Sequence, residues 1–405
     1  MSGTTTVRTA SPVRTSHGGG FWPIAYAFAV MMAFSAAPTP LYVLYQQRDG
    51  FGPFTVTVVF AAYAVGVALS VLTAGHVSDW LGRRRVIRWA LLVAMASGLL
   101  FLLPGLAALL AGRFLSGVGV GLLTATATAY LMELHLAQRP GANRRRADLV
   151  ATAANIGGIG LGPLIAGLLA EYAPRPLTVP YLVFEGLLAI AVAGTFTARE
   201  TVARRSVRWR PQRVSVPAAD RGRYAAACLT AFASFAIFGL FTSLAPGFLK
   251  GILDQDSHAV AGLVAFSVFA AGVAGNLALA RHPLGVQLRV AVLVLILGLA
   301  ILIAGVWAPD FAVFLAGGLL TGAGAGAAFK ASVTTAATLA APEARGEALA
   351  GLFLIGYLGL AVPVLGLGLA AQHLETRVSV LLFATTLAVL LAGAARPLFR
   401  PARTR

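Results

Sequence analysis

Four side chains with acid–base or hydrogen-bonding chemistry interrupt long apolar stretches of this sequence: Arg113, Glu185, Lys330 and Tyr42. A charge placed in hydrocarbon costs about 2.5–3.5 kcal/mol, so such residues are kept where they pair, line a water-filled path or exchange protons. We therefore expect these four residues to lie on a proton-coupling or substrate pathway.

Each of the four has a structural alternative. The guanidinium of Arg113 could bind backbone carbonyls, and the long side chain of Lys330 could extend to the membrane surface. Glu185 could face a water-filled outer vestibule, and Tyr42 could anchor the span at the interface, where tyrosines are enriched. The sequence leaves both interpretations open for each residue.

Other kinds of chemistry lack the residues that they need. The six histidines form no H-E-x-x-H pattern, and the glycine-rich stretch 322–326 lacks the Gly-Lys-Ser/Thr ending of a nucleotide-binding loop. The single cysteine, Cys228, excludes an intrachain disulfide and a thiolate metal cluster. We expect neither an enzyme nor an ATP-driven transporter, and no cofactor or metal.

The elements that must position these residues are membrane spans. The 405 residues are 58% hydrophobic and 11% charged, with a mean hydropathy of +0.83, which is more apolar than a soluble domain can bury. The apolar runs are continuous, without the alternation of a transmembrane barrel. The sequence predicts an all-α integral membrane protein with about twelve spans: 21–46, 54–76, 86–103, 106–134, 147–172, 179–198, 224–250, 258–280, 288–308, 310–340, 345–371 and 376–396.

The basic residues lie almost entirely on one side of this topology. The net charge is +17, and arginines cluster before the first span, at 83–88, 139–146 and 199–223, and after the last span. This positive-inside pattern predicts a multi-pass plasma-membrane protein with both termini in the cytoplasm. Nucleic-acid binding is the alternative for the charge, and a cleavable signal peptide ending near 35–37 is the alternative for the first apolar run.

The two halves of the chain repeat at a shift of about 200 residues. Residues 111–121 match 316–326 at Ala, Leu and four glycines, and residues 156–167 resemble 355–366. Two halves in the same orientation form a parallel repeat. The predicted organisation is a disordered cytoplasmic tail (1–20), an N-terminal six-helix bundle (21–198), an Arg-rich cytoplasmic linker (199–223), a C-terminal six-helix bundle (224–396) and a cytoplasmic tail (397–405).

The segment 75–85 carries the first family signature. Gly75 and Gly82 permit a tight turn, and Asp79 can pair with the arginines that follow. The Gly–Asp–Gly–Arg spacing resembles the loop between the second and third helices of major facilitator superfamily transporters. The resemblance implies the major facilitator fold of two six-helix pseudo-repeats, and it assigns Asp79 and Arg83 to a cytoplasmic gate.

Two further residues are expected to complete this gate. Glu133 ends the fourth span beside the arginine loops, so we expect an ion pair with Arg83 or Arg146 rather than a substrate role. The equivalent loop of the second half has His282 where the aspartate would stand, which predicts a gate on one half only.

Two more signatures lie in spans 4 and 5. Arg113-x-x-x-Gly117-x-x-x-Gly121 resembles the family motif whose arginine is associated with proton coupling. Gly158-x-x-x-Gly162-Pro163-x-x-x-Gly167 resembles the motif of family members that export a substrate in exchange for protons. Proline bends a helix and glycines allow close packing, so the second motif predicts an interface that can rock; an ordinary kinked packing helix is the alternative.

Taken together, these signatures resemble the bacterial drug/proton antiporter type of the superfamily. That resemblance implies export of a small amphipathic or apolar compound by alternating access between lipid-embedded bundles, in exchange for protons and without nucleic acid. The oligomeric state is unknown from the sequence, and we expect a monomer. A proton-coupled or facilitative importer of a small metabolite on the same fold is the first alternative. A non-transporting membrane enzyme or sensor is the second, and it lacks a visible catalytic cluster.

Overall fold

The chain forms a bundle of long helices. The computed structural model describes residues 20–74, 77–139, 141–202, 220–340 and 344–399, and every regular element among them is helical. Within those ranges, eleven segments are long and apolar enough to cross a membrane. A further helix, Arg83–Phe101, stands where the third span was predicted and begins with a cluster of arginines. The tail 1–19, Gly75 and most of the predicted linker lie outside the described residues.

The predicted spans agree with the observed helices to within a few residues, except that the predicted span 224–250 is divided between the helices Arg221–Ser243 and Ala245–Leu253. Numbered in chain order, they are span 1 Phe21–Asp49, span 2 Pro53–Ala74, span 3 Arg83–Phe101, span 4 Leu106–Gln138, span 5 Arg145–Tyr172, span 6 Val179–Thr197, span 7 Arg221–Ser243, span 8 His258–Leu279, span 9 Leu284–Trp307, span 10 Phe311–Leu339, span 11 Arg345–His373 and span 12 Thr376–Phe399. Spans 1–6 form the N-terminal half, and spans 7–12 form the C-terminal half.

The ends of the spans alternate between two sides of the bundle. The Arg-rich side carries Arg83, Arg144 and Arg345, and the opposite side carries Arg48 and Arg175. Large apolar side chains cover the flanks, where Trp89 and Val389 are 65% and 66% exposed. Such a surface suits lipid and not water.

The helices of spans 1 and 7 are both interrupted near the side of the bundle that lies opposite the Arg-rich side. In span 1 the helix Phe21–Ala36 gives way to a 3-10 turn, Thr39–Leu41, because Pro38 and Pro40 have no N–H to donate. Span 7 ends at Ser243 and is followed by the helix Ala245–Leu253. The two breaks meet, since the Thr39 hydroxyl donates to the Thr242 carbonyl at 3.1 Å.

Glycines set the distances between spans in the N-terminal half. A Cβ on Gly117 would overlap the Tyr63 carbonyl of span 2, and one on Gly121 would lie 2.7 Å from the Ser70 hydroxyl oxygen. In span 2, a Cβ on Gly66 would in turn overlap the carbonyl of Phe114. Spans 2 and 4 therefore pack backbone to backbone, as the glycine spacing predicted.

The C-terminal half repeats this arrangement in span 10. Gly322 and Gly326, the repeat equivalents of Gly117 and Gly121, press on the backbone of span 8. Span 8 holds the position in the C-terminal half that span 2 holds in the N-terminal half. The two halves therefore repeat the same helix–helix contacts as well as the same sequence pattern.

The span 5 motif lies at two interfaces. Gly158 and Gly162 face Ala29 and Ala33 of span 1 within the N-terminal half. Farther along, a Cβ on Gly167 would overlap the backbone of His258 in span 8, and Gly262 of span 8 closes on the Pro163 carbonyl. The second contact joins the two halves.

We predict that Gly162→Val destabilises the protein by about 1–3 kcal/mol, because the new side chain would force the backbones of spans 1 and 5 apart. The thermal midpoint of the detergent-purified protein measures this loss. Gly186→Val is the matched control, since a Cβ there meets nothing within 4 Å. Equal midpoints for the two variants would contradict the packing role of Gly162.

Candidate transport site

A cavity of about 110 Å³ lies between the two halves, near the middle of the bundle. Spans 1, 2, 4 and 5 supply one wall, and spans 7, 8, 10 and 11 supply the other. The wall toward the Arg-rich side includes Thr124, Asn155 and Phe353. Contacts that join the halves close the opposite side: Gly368 of span 11 against Thr57 of span 2, and the Glu171 carboxylate accepting from the His258 N–H at 2.8 Å.

Arg113 is the charged residue of the cavity wall. Its side chain is buried, with 2% exposure, and its Nη1 donates to the Ser35 carbonyl of span 1 at 2.6 Å. The guanidinium lies over the Tyr63 ring at 4.5 Å from the ring centre. Its Nε has no hydrogen-bond partner among the described residues. The residue therefore faces the bundle interior as predicted, but its partners are a carbonyl and a ring and not a carboxylate.

The other wall of the cavity is aromatic. Phe235 stacks edge-on against Phe329 and Tyr357, with ring centres 5.1 Å apart in both pairs, and Phe238 stacks on Phe269 at 4.6 Å. These rings come from four spans of the C-terminal half. Sequence reasoning missed them because a phenylalanine in an apolar span carries no sign of the direction in which it faces.

Asn155 is a polar residue of the cavity wall that the sequence analysis also missed. It lies in a π-helical turn, Ala153–Gly157, directly before the Gly158 motif of span 5. Turns of this kind insert an extra residue into an α-helix and occur often at functional sites. The signal available in the sequence was an asparagine in an otherwise apolar run.

The remaining predicted pathway residues lie elsewhere. Tyr42 is fully buried beside the cavity but lines a separate space of about 150 Å³ toward the opposite side. Glu185 packs against Gly98 of span 3, and its Oε1 has no hydrogen-bond partner among the described residues. Lys330 is exposed on span 10, next to the wall residue Phe329. Only Arg113 of the four contributes to the wall, and the roles of all four stay predictions.

The predicted gate residues come together on the Arg-rich side. Arg83 makes ion pairs with Asp79 at 2.6 Å and with Glu133 at 3.0 Å, and its Nη1 also donates to the Ser78 hydroxyl at 2.6 Å. Glu133 thus pairs with Arg83 and not with Arg146, whose guanidinium lies 5.8 Å from the Trp22 ring centre. Gly75 lies outside the described residues.

Glu200 joins this cluster, although the sequence analysis did not select it. Its carboxylate accepts the backbone N–H groups of Arg83 and Arg84, at 2.9 and 3.1 Å, and so caps the start of span 3. Gly82 makes room for it: its φ is +101°, and a Cβ there would lie 2.5 Å from a carboxylate oxygen of Glu200. Thr201 also donates to Glu133, so the segment after span 6 is tied to the start of span 3 through Glu200 and to span 4 through Thr201.

Comparisons with known proteins identify the class that this geometry defines. Residues 24–304 match the model of the Major Facilitator Superfamily, so the chain belongs to that family and is a transporter rather than an enzyme. A search of curated proteins gave no match. Solved structures share the fold at low sequence identity, which supports the fold and not a substrate.

Three of these structures cover nearly the whole chain. The nucleoside transporter NupG has 15% identity and a TM-score of 0.71, with 94% of this chain and 99% of that one covered. A D-xylose-proton symporter has 14% identity and a TM-score of 0.74, with 92% and 95% covered. A bacterial homologue of the human lysosomal transporter Spinster, described as inward-facing and occupied, has 14% identity and a TM-score of 0.66, with 94% and 95% covered.

We predict that Asp79→Asn leaves the protein folded but shifts its conformational balance and slows transport several-fold, because the variant loses one of the two carboxylates that neutralise Arg83. Cysteine-accessibility labelling of the two sides, together with a flux assay, measures both effects. Asp49→Asn is the control, since its ion pair with Arg48 joins neighbouring residues on the opposite side. Unchanged accessibility and flux in Asp79→Asn would contradict the gate assignment.

Proposed function

We propose that this transporter exports a small amphipathic or apolar compound in exchange for protons, by alternating access through the central cavity. The Arg-rich side faces the cytoplasm, in accordance with the positive-inside rule. The protein would lie in the plasma membrane with both termini inside the cell. The predicted halves, 21–198 and 224–396, would rock against one another on either side of the linker 199–223.

The observation that carries this proposal is the position of the span 5 motif. Its Gly167 and Pro163 touch Gly262 and His258 of span 8, which belong to the other half. Backbone-to-backbone contact lets helices slide without the unlocking of large side chains. A motif that resembles the exporter signature therefore sits at an interface that alternating access has to move.

The Arg83 cluster supports alternating access on the cytoplasmic side. Asp79, Glu133 and the backbone contacts of Glu200 hold the loop between spans 2 and 3 to the end of span 6, all within the N-terminal half. A gate needs one half to be rigid while the other moves against it. We assign that rigidity to this cluster, and the contacts of Thr57, Glu171 and Thr39 with the other half to the opposing closure.

Glu185 is our candidate for the proton carrier. It is the acidic residue in the interior of the described spans, and no cation pairs with it there. A carboxyl group in that setting is costly as an isolated charge, which favours proton uptake. Arg113, Lys330 and Glu133 are the other candidates.

Import is the competing mode. The similar structures include a D-xylose-proton symporter, and a symporter moves its two substrates in the same direction. The direction of proton movement distinguishes the two modes. Proteoliposomes that contain the purified protein and a pH-sensitive dye report that movement while tetraphenylphosphonium, 3-phenylpropanamide or 3-phenylpropanoate is added outside. Protons moving against the added compound support exchange, and protons moving with it support symport.

We predict that Glu185→Gln reduces proton movement about ten-fold or more but preserves exchange of labelled for unlabelled substrate, because the amide keeps the shape of the carboxyl and cannot carry the proton. Glu375→Gln is the control, since Glu375 is an exposed residue between spans 11 and 12. Proton movement at the parent rate in Glu185→Gln would remove this residue from the coupling mechanism.

A further inference from the structure

Among the described residues, the cavity wall carries a positive charge and no negative charge. Among the described residues that line it, Arg113 is charged, and the others are apolar, aromatic or neutral polar groups such as Asn155 and Thr242. The four ion pairs of the described residues do not include Arg113. The cavity therefore holds one positive charge that no carboxylate of the wall offsets.

A buried cation without an anionic partner is unusual. Charged side chains that leave water are normally paired, because attraction to an opposite charge has to offset the lost hydration. The guanidinium of Arg113 instead has the Ser35 carbonyl and the face of Tyr63, which are weaker partners than a carboxylate. Its position favours any anion that enters the cavity.

The guanidinium retains hydrogen-bonding capacity for such an anion. Arginine has five N–H donors in a planar fork that fits a carboxylate through two parallel bonds. One nitrogen of Arg113, Nη1, is engaged by Ser35, and its buried Nε has no partner among the described residues. The residue as a whole lines the cavity. If Arg113 served only to stabilise the packing of the helices, a neutral side chain could bind the Ser35 carbonyl without the cost of burying a charge.

The rest of the wall defines the other end of the ligand. Phe235, Phe238, Phe269, Phe329 and Tyr357 form an aromatic surface on the C-terminal half, across the cavity from Arg113. Aromatic rings favour flat apolar groups by stacking and edge contacts. The volume of about 110 Å³ is below the range of roughly 300–1,000 Å³ of drug-sized pockets, so the ligand is small.

We infer that the substrate is a small organic anion whose carboxylate, or an equivalent acid group, binds the guanidinium of Arg113 while its aromatic or apolar body packs against the phenylalanine wall. This inference rests on the proposed function in taking the central cavity as the transport site. It narrows the amphipathic compound to one charge class and disfavours organic cations, which Arg113 would repel. It assigns Arg113 to substrate binding, where the family resemblance implied proton coupling.

Calorimetric binding to the purified protein in lipid nanodiscs tests the inference without requiring transport. The probes are three carboxylates, each with its amide: benzoate and benzamide, 3-phenylpropanoate and 3-phenylpropanamide, and indole-3-acetate and indole-3-acetamide. Because a charge-assisted hydrogen bond adds to the affinity of the carboxylate and not to that of the amide, we expect at least one carboxylate to bind about ten-fold or more tightly than its amide. In Arg113→Gln this ratio falls to about one, while binding of the amide persists and shows that the cavity is intact.

Two further variants keep the test decisive. Arg113→Lys, which retains the charge, preserves part of the preference even if the Gln variant folds poorly. Arg345→Gln, an exposed arginine at the start of span 11, keeps the full preference. Binding of no carboxylate, equal binding of acid and amide, or an unchanged ratio in Arg113→Gln would overturn the inference.

The outcome is separable from that of the proposed exchange. A carboxylate preference that depends on Arg113, without any proton movement in proteoliposomes, would uphold the anion site and remove proton exchange. Proton exchange driven by tetraphenylphosphonium or by the amide alone would uphold exchange and overturn the anion site.

Discussion

The structure depends on the close approach of helix backbones at glycines. In lipid no hydrophobic force pushes helices together, so association relies on packing and on small residues that let backbones touch. Gly66, Gly117 and Gly121 join spans 2 and 4, and Gly322 and Gly326 make the equivalent contact in the other half. These pairs pack the helices of each half closely against one another, and the cavity lies between the two halves.

The contact between the halves uses glycines in part. Gly167 of span 5 faces the backbone of His258, and Gly262 of span 8 faces the carbonyl of Pro163, while Gly160 of span 5 faces the side chains of Phe266 and Phe269. Small residues at such a contact leave room for the sliding movements of packed helices. Alternating access, as proposed above, needs this contact to move.

Arg83 and Arg113 differ in the charged partners that surround them. On the Arg-rich side, Arg83 is surrounded by two carboxylates, and Glu200 caps the helix that Arg83 begins, which suits a structural cluster in contact with water. In the membrane interior, Arg113 has no carboxylate partner among the described residues. The contrast separates an arginine whose charge is satisfied by its own chain from one whose charge is available to a ligand.

The sequence by itself determined the all-helical membrane fold, the approximate positions of the spans, the duplication and the resemblance to the family, because hydropathy, glycine spacing and arginine placement are properties of the chain read in order. It also selected Arg113 and Glu133, since a charge within or at the end of an apolar span is conspicuous, and it selected Asp79 and Arg83 through the resemblance of their loop to the family signature. Only the tertiary structure decided which way each side chain faces. It placed the phenylalanines and Asn155 in the cavity wall, brought Glu200 to the start of span 3, and left Arg113 without an acid, because such contacts join residues that lie far apart along the chain.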